Sequence, residues 1–354
     1  MIAIVHADLI TPEGVIEDGT ILLDDGKIAA VGGPDLPVPQ GAATREAAGL
    51  IVAPGLIDLQ VNGGFGRDFT ADPSSIWDVA AGLPRFGVTA FLPTIITSPP
   101  ETIQAAQDTV NAGPPGGWIG ARSLGLHLEG PFLNPKKKGA HNPAHIRAPS
   151  SRDIVNWSRE SGVTLVTLAP ELPGAAQVIG ELVERGTVVS AGHSLASFEA
   201  AGAGFDTGIR YVTHLFNAMP ALHHREPGLI AAALADDRLT VGLIADGLHV
   251  HPALVSLVWD LLGPTRLNLV TDAMAAMGMS PGEYALGDSL VTVDESSARL
   301  GDGTLAGCVL SLDAILRLFI SFTRASLSEA LSTVTAVPAR LLGLDGRLGA
   351  IRPG

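Results

Sequence analysis

The sequence of 354 residues predicts an α/β fold, a (β/α)8 TIM-like barrel carrying a small β-sandwich domain, on three observations. Eight short apolar runs rich in β-branched residues alternate with segments of helical character, the pattern of right-handed βα units around a parallel sheet. Residues able to do chemistry close several of these runs, where such a barrel places its active site. The chain before about Ala53 has another texture, with strand-like stretches joined by Gly and Asp turns.

That first stretch contains MIAIVHADLI and GTILLDDGKIAAVG, and Asp24-Asp25-Gly26 is a hairpin signal. The barrel strands are read at 55–61, 89–96, 123–129, 163–169, 187–193, 211–217, 240–245 and 267–272. Helical character lies between them, as at 74–86, 101–112, 150–161, 175–185 and 252–262. After the eighth strand a hairpin-like stretch covers 284–305, and a helical run at 308–342 closes the barrel. A barrel takes roughly 250 residues. The expected division is therefore a barrel over 54–343 and a small β-domain over 1–53, with 344–354 available to complete it.

Composition narrows the function. A chain with 46% hydrophobic residues buries a large core, and its formal charge of −14 argues against nucleic acid as a partner. The single cysteine, Cys308, allows no intrachain disulfide, and no leader-like segment or membrane-length apolar run is present; a cytoplasmic location is expected. An anionic substrate would need a local positive cluster, for which Lys136, Lys137, Lys138, Arg225 and several histidines are candidates.

Glu129, His193 and His214 close strands three, five and six, and Asp272 closes strand eight. Three N/O ligands with an open fourth position suit a catalytic zinc, which lowers the pKa of bound water to about 7. Asp272 is then placed to take the proton of that water and return it to a leaving group. One divalent ion per subunit is expected, with Zn2+ first and Fe2+, Co2+ or Mn2+ accepting the same ligands.

Seven segments carry a resemblance: PGLIDLQVNGGFG (54–66), GLHLEGPFLNPKKKGAHNP (125–143), TLAPE (167–171), SAGHS (190–194), THLFNAMPALHHREPG (213–228), IADGLHV (244–250) and LVTDA (269–273). In this order they resemble the N-acetylglucosamine-6-phosphate deacetylase family of the amidohydrolase superfamily. The resemblance implies a metal held by Glu129, His193 and His214, Asp272 as acid/base, and His141 polarising the acetyl carbonyl. It further implies substrate contacts from Ala140, His141, Asn217 and Ala218, and phosphate contacts from Arg225 and His249 of a neighbouring subunit, hence a homodimer. Strand one lacks the His-x-His of two-metal relatives and reads Gln60-Val61-Asn62, which implies a single-metal site with Gln60 and Asn62 as hydrogen-bonding groups near it. The implied reaction is hydrolysis of N-acetyl-D-glucosamine 6-phosphate to glucosamine 6-phosphate and acetate. Other amide hydrolysis on the same scaffold, or non-catalytic binding of a sugar phosphate, are the alternatives.

Other residues take a plainer reading. His127 and Glu171 are expected to be structural, His223 and His224 to lie in a loop near phosphate or surface, and Cys308 to be core. Lys136 to Lys138 read as a solvated run that steers an anion, and the loop bearing Met274, Met277 and Met279 as a cover for the site. The family usually continues beyond a stretch like 349–354 into strands that complete the small domain, so open edges are expected on 2–31.

Overall fold

The computed structural model describes residues 1–354, and its main body is a parallel barrel. Five strands come first: β1 (Ile2–Thr11), β2 (Gly14–Asp24), β3 (Lys27–Gly32), β4 (Ala43–Glu46) and β5 (Ile51–Val52). They form one sheet in the order β3-β2-β1-β4, with β5 also on β1. Asp25 and Gly26, both at positive φ, make the two-residue turn between β2 and β3. This five-stranded sheet is the small β part of the fold beside the barrel. The apolar side of Ala7, Leu9 and Ile21 is covered by Ala47 and Ile351, and residues 347–351 line the groove between sheet and barrel.

The barrel strands follow as β6 (Leu56–Val61), β7 (Val88–Ile96), β8 (Leu126–Glu129), β9 (Val163–Leu168), β10 (Val188–Ala191), β11 (Tyr211–Val212), β12 (Thr240–Leu243) and β13 (Leu267–Leu269). Each pairs in parallel with the next. Nearly every strand residue is buried, as expected for strands covered on both faces. The ring closes where the backbone N–H of Asn62 donates to Ala273 O at 2.7 Å and Thr271 Oγ1 donates to Asp58 Oδ2 at 2.6 Å. This seam joins the first and last barrel strands.

Helices cover the outside. They are α1 (Ile76–Gly82), α2 (Pro100–Ala112), α3 (Ala175–Glu184), α4 (Phe198–Thr207), α5 (Gly228–Ala235), α6 (Pro252–Arg266), α7 (Leu312–Phe322), α8 (Leu327–Ser332) and α9 (Ala336–Leu341). Trp259 of α6 meets Phe319 of α7 edge to face at 5.4 Å between ring centroids. Residues 150–161, read as helical, form turns instead. There Ser161 Oγ donates to Asn156 O at 2.6 Å and accepts from Ser158 N at 2.9 Å, so side chains take the groups a helix would need.

The stretch after the eighth strand is a small antiparallel sheet of β14 (Gly282–Leu286), β15 (Ser289–Val293) and β16 (Ala298–Arg299). Its buried Leu286, Val291 and Val293 pack with Ile96 and Met274, which seats the sheet over the C-terminal mouth of the barrel. Met274 is buried in this packing and Met277 in the main core, whereas Met279 is exposed.

Candidate active site

Each chemistry-bearing residue lies at or just past the C-terminal end of a strand. Glu129 ends β8, while His193, His214 and Asp272 stand beyond the regular pairing of β10, β11 and β13. All three have positive φ, of 49°, 32° and 52°. Non-glycine residues rarely adopt this conformation; here it turns each side chain out of the strand course and into the mouth.

A cavity of about 350 Å3 opens there, within the range of roughly 300–1,000 Å3 for small-molecule sites. Glu129, His193 and His214 share its floor, their ligand atoms within 4.8 Å of one another. Glu129 Oε1 lies 3.1 Å from His193 Nε2 and 2.9 Å from His214 Nε2, and the two imidazole nitrogens are 3.1 Å apart. His193 Nδ1–H donates to Lys137 O at 2.8 Å, so the Nε2 lone pair is the one facing Glu129. Two imidazole nitrogens and a carboxylate converging on one point suit a divalent cation. Burial would raise the pKa of Glu129, but the imidazoles set against it hold it well below the ordinary range.

Asp272 is tied to the first strand. Its Oδ1 accepts from Gln60 Nε2 at 2.9 Å and from Asn62 Nδ2 at 2.8 Å, and Gln60 Nε2 also reaches Glu129 Oε1 at 3.1 Å. Burial and the negative field of Glu129 push the Asp272 carboxyl up to about 6. A carboxylate near neutrality can both take and return a proton. Asn62 lines the cavity; Gln60 is buried beneath it.

His141, on the loop after β8, occupies another wall. Thr97 N donates to its Nδ1 at 3.2 Å, so its proton sits on Nε2, which is 3.7 Å from Glu129 Oε2. Burial, and the field of His193, lower its pKa to about 3. It is therefore a neutral N–H donor directed into the site, the form that stabilises a developing oxyanion.

Ala140, Asn217, Ala218 and His249 also line the cavity. His249 thus lines the cavity of its own chain. Asp246 Oδ2 fixes its Nδ1 at 2.6 Å. Arg225 is exposed outside the lining, its Nη1 2.7 Å from His224 Nε2. His127 lies fully buried below the floor, with Nε2 2.7 Å from Thr167 Oγ1, and burial lowers its pKa to about 4. Glu171 braces loops by accepting from Asn134 Nδ2, Ser194 Oγ and Leu195 N. One charged lining residue escaped the sequence reading: Arg299, on β16, whose place at the mouth depends on where the small sheet folds.

The amidohydrolase family profile matches residues 51–354. The chain is 40% identical over 349 residues to an N-acetylgalactosamine-6-phosphate deacetylase of Escherichia coli O157:H7, covering 98% of this chain and 91% of that protein. It is 41% identical over 324 residues to an N-acetylglucosamine-6-phosphate deacetylase of Homo sapiens, covering 87% and 78%. The crystal structure of N-acetylglucosamine-6-phosphate deacetylase from Pasteurella multocida superposes with a TM-score of 0.92 at 32% identity, covering 100% of this chain and 93% of that one. An aspartate-to-alanine mutant of the Mycobacterium smegmatis enzyme, in complex with N-acetyl-D-glucosamine 6-phosphate, gives 0.90 at 33% identity, covering 99% and 93%.

Proposed function

From the premise that the chain belongs to the amidohydrolase family, we propose that it hydrolyses the acetamide of N-acetyl-D-glucosamine 6-phosphate to glucosamine 6-phosphate and acetate. The observation that carries this reading is the meeting, in one cavity, of the Glu129, His193 and His214 trio with Asp272 and the Nε2–H of His141.

Glu129, His193 and His214 would hold one divalent ion, zinc in the first instance. Such an ion supplies Lewis acidity and makes water a nucleophile at neutral pH. Asp272, held by Gln60 and Asn62, accepts the proton from the attacking water and delivers it to the departing amine nitrogen. His141 donates from Nε2 to the carbonyl oxygen as charge builds there. Ala140, Asn217, Ala218 and His249 line the space left for the sugar. Arg225 belongs in this scheme only through a homodimer, in which its exposed side chain crosses to the neighbouring cavity. The reading includes a cytoplasmic enzyme whose small domain, 1–53 with 344–354, packs on a barrel of 54–343; no helix is long and apolar enough to cross a membrane.

The test is acetate release by the zinc-supplemented chain from N-acetylglucosamine 6-phosphate, its galactosamine epimer and unphosphorylated N-acetylglucosamine. The highest kcat/KM on the first supports the proposal. Preference for the epimer moves the substrate to galactosamine, and no release from folded, metal-loaded protein refutes the enzyme reading in favour of a binding protein.

A further inference from the structure

Resting on the reading of His193 as a metal ligand, we propose that Glu171 and Lys137 are its positioning residues. Together they fix the turn whose carbonyl orients the imidazole, and so set how tightly the site holds a divalent ion. His193 stands beyond the regular pairing of β10 at a φ of 49°, so no strand ladder holds it in place. Its ring gives Nδ1–H to Lys137 O at 2.8 Å, a bond that fixes the tautomer and aims Nε2 at the ion. His214 Nδ1, equally buried, meets no protein partner, so of the two imidazoles only His193 is steered in this way. The acceptor is main chain, and its direction is set by the side chains that anchor its turn.

That turn, Pro135–Lys137, is anchored three ways. Asn134 caps it, its Oδ1 accepting from Lys136 N at 3.0 Å, while its own N–H donates to His193 O at 2.9 Å. Asn134 Nδ2 donates to Glu171 Oε1 at 3.0 Å, and the same carboxylate accepts from Leu195 N at 2.6 Å and from Ser194 Oγ at 2.7 Å. One side chain thus bolts the turn to the two residues that follow His193. The Lys137 ammonium donates to Met219 O at 2.9 Å, tying the turn to the loop after β11 that also carries His214. Lys137 is half-buried, so this member of the lysine run is a strut rather than a solvated charge. Hydrogen bonds to ionised groups are the strong ones, and both anchors use them. The wrapping is close: a Cβ at Gly139 would lie 3.2 Å from His193 Cε1.

The experiment measures zinc affinity by competition with a chromophoric chelator, and the visible spectrum of the cobalt-substituted protein, in wild type, Glu171→Ala, Glu171→Gln and Lys137→Met. Charge and positioning give different patterns. Both Glu171 variants lose the same negative charge, but glutamine keeps an oxygen for Asn134 Nδ2 and Leu195 N and turns its amide to Ser194 Oγ. Lys137→Met removes a positive charge, which by electrostatics alone would tighten cation binding. Glu171→Ala should weaken zinc binding by about ten- to a hundredfold, Glu171→Gln should recover most of that loss, and Lys137→Met should weaken binding by up to about tenfold. The cobalt spectrum, which reports ligand geometry, should change in Glu171→Ala and Lys137→Met and match wild type in Glu171→Gln. Wild-type affinity and spectrum in Glu171→Ala, or equal losses in both Glu171 variants, overturns the role of Glu171; tighter or unchanged binding in Lys137→Met overturns that of Lys137. If Glu171→Ala does not fold, Lys137→Met decides by the same criteria. A folded wild type that takes up neither zinc nor cobalt refutes the metal-ligand reading itself, and the proposal with it. No readout uses turnover, so the identity of the substrate does not bear on the result.

Discussion

Asp58 offers a prediction whose size can be worked out. It is 2% exposed on β6, and burial, only partly offset by hydrogen bonds from Thr271 Oγ1, Gln60 N and Thr271 N, pushes its carboxyl from 3.8 up to about 7. Between about pH 4 and 7 the unfolded chain has ionised at this position while the folded chain keeps the proton. Native stability therefore falls as pH rises through that window and levels off above it. At 1.36 kcal/mol per pH unit the displacement amounts to about 4 kcal/mol. Asp58→Asn removes the charge while keeping the contacts: its Oδ1 accepts from the two backbone N–H groups, and its Nδ2 donates to Thr271 Oγ1, which turns its own hydrogen to Gln60 O, 3.2 Å away. With an unfolding entropy of about 2.1 cal/mol/K per residue, 4 kcal/mol corresponds to a rise in Tm of about 5 °C. The assay is differential scanning fluorimetry of wild type and variant from pH 4 to 9. The difference in Tm, variant minus wild type, should grow between pH 4 and 7 and then stay constant. A difference that is flat across the range would refute the claim that burial keeps Asp58 protonated in the fold. Taking the difference cancels the opposing contribution of His127, whose depressed pKa makes stability rise with pH between about 4 and 6.5.

Three further outcomes follow from the site. Asp272→Asn should retain metal at one equivalent, read by elemental analysis, while kcat falls about 10²- to 10⁴-fold; full turnover would remove the acid/base role. His141→Ala should likewise keep the metal and lose about 10²- to 10³-fold in kcat, and a change confined to KM would contradict its role at the carbonyl oxygen. Gly192→Ala places a Cβ 2.7 Å from Thr167 Cγ2 and 3.3 Å from Thr213 Cβ, beside His193. The displaced imidazole should weaken metal affinity by about ten- to a hundredfold in a chelator competition, and unaltered affinity would show that the loop absorbs the methyl.

The barrel was legible because its strands are short, β-branched and buried on both sides, so all eight runs announce themselves without alternation. Glu129, His193, His214 and Asp272 were legible for a related reason, as polar residues ending apolar runs. The sheet pairing nevertheless stops short of three of them, and their positive φ leaves little mark in sequence, because histidine and aspartate, though enriched there among non-glycine residues, mostly adopt negative φ. Helix α5, GLIAAALA, has no polar face and hence no amphipathic stripe, while α4 carries three internal alanines and two glycines behind its Ser197 cap. Residues 150–161 misled because serine and asparagine can serve the backbone from their side chains. The places of Arg299 and His249 at the cavity depend on where loops of distant sequence come to rest, which local pattern does not encode.

The seam has a consequence for how competence is distributed along the chain. Glu129, His193 and His214 come from the contiguous stretch β8 to β11, so the part that can capture an ion is written in the middle of the sequence. Asp272 and the amides that hold it are drawn from opposite ends of the barrel, and the Gln60 and Asn62 contacts each close a loop of more than 200 residues. On the proposed roles, ion capture is thus a regional property and proton transfer a property of the closed ring. Under the proposed roles, a chain whose first and last strands have parted would keep its cation trio and lose its acid, so metal content by itself would be no certificate of an active molecule.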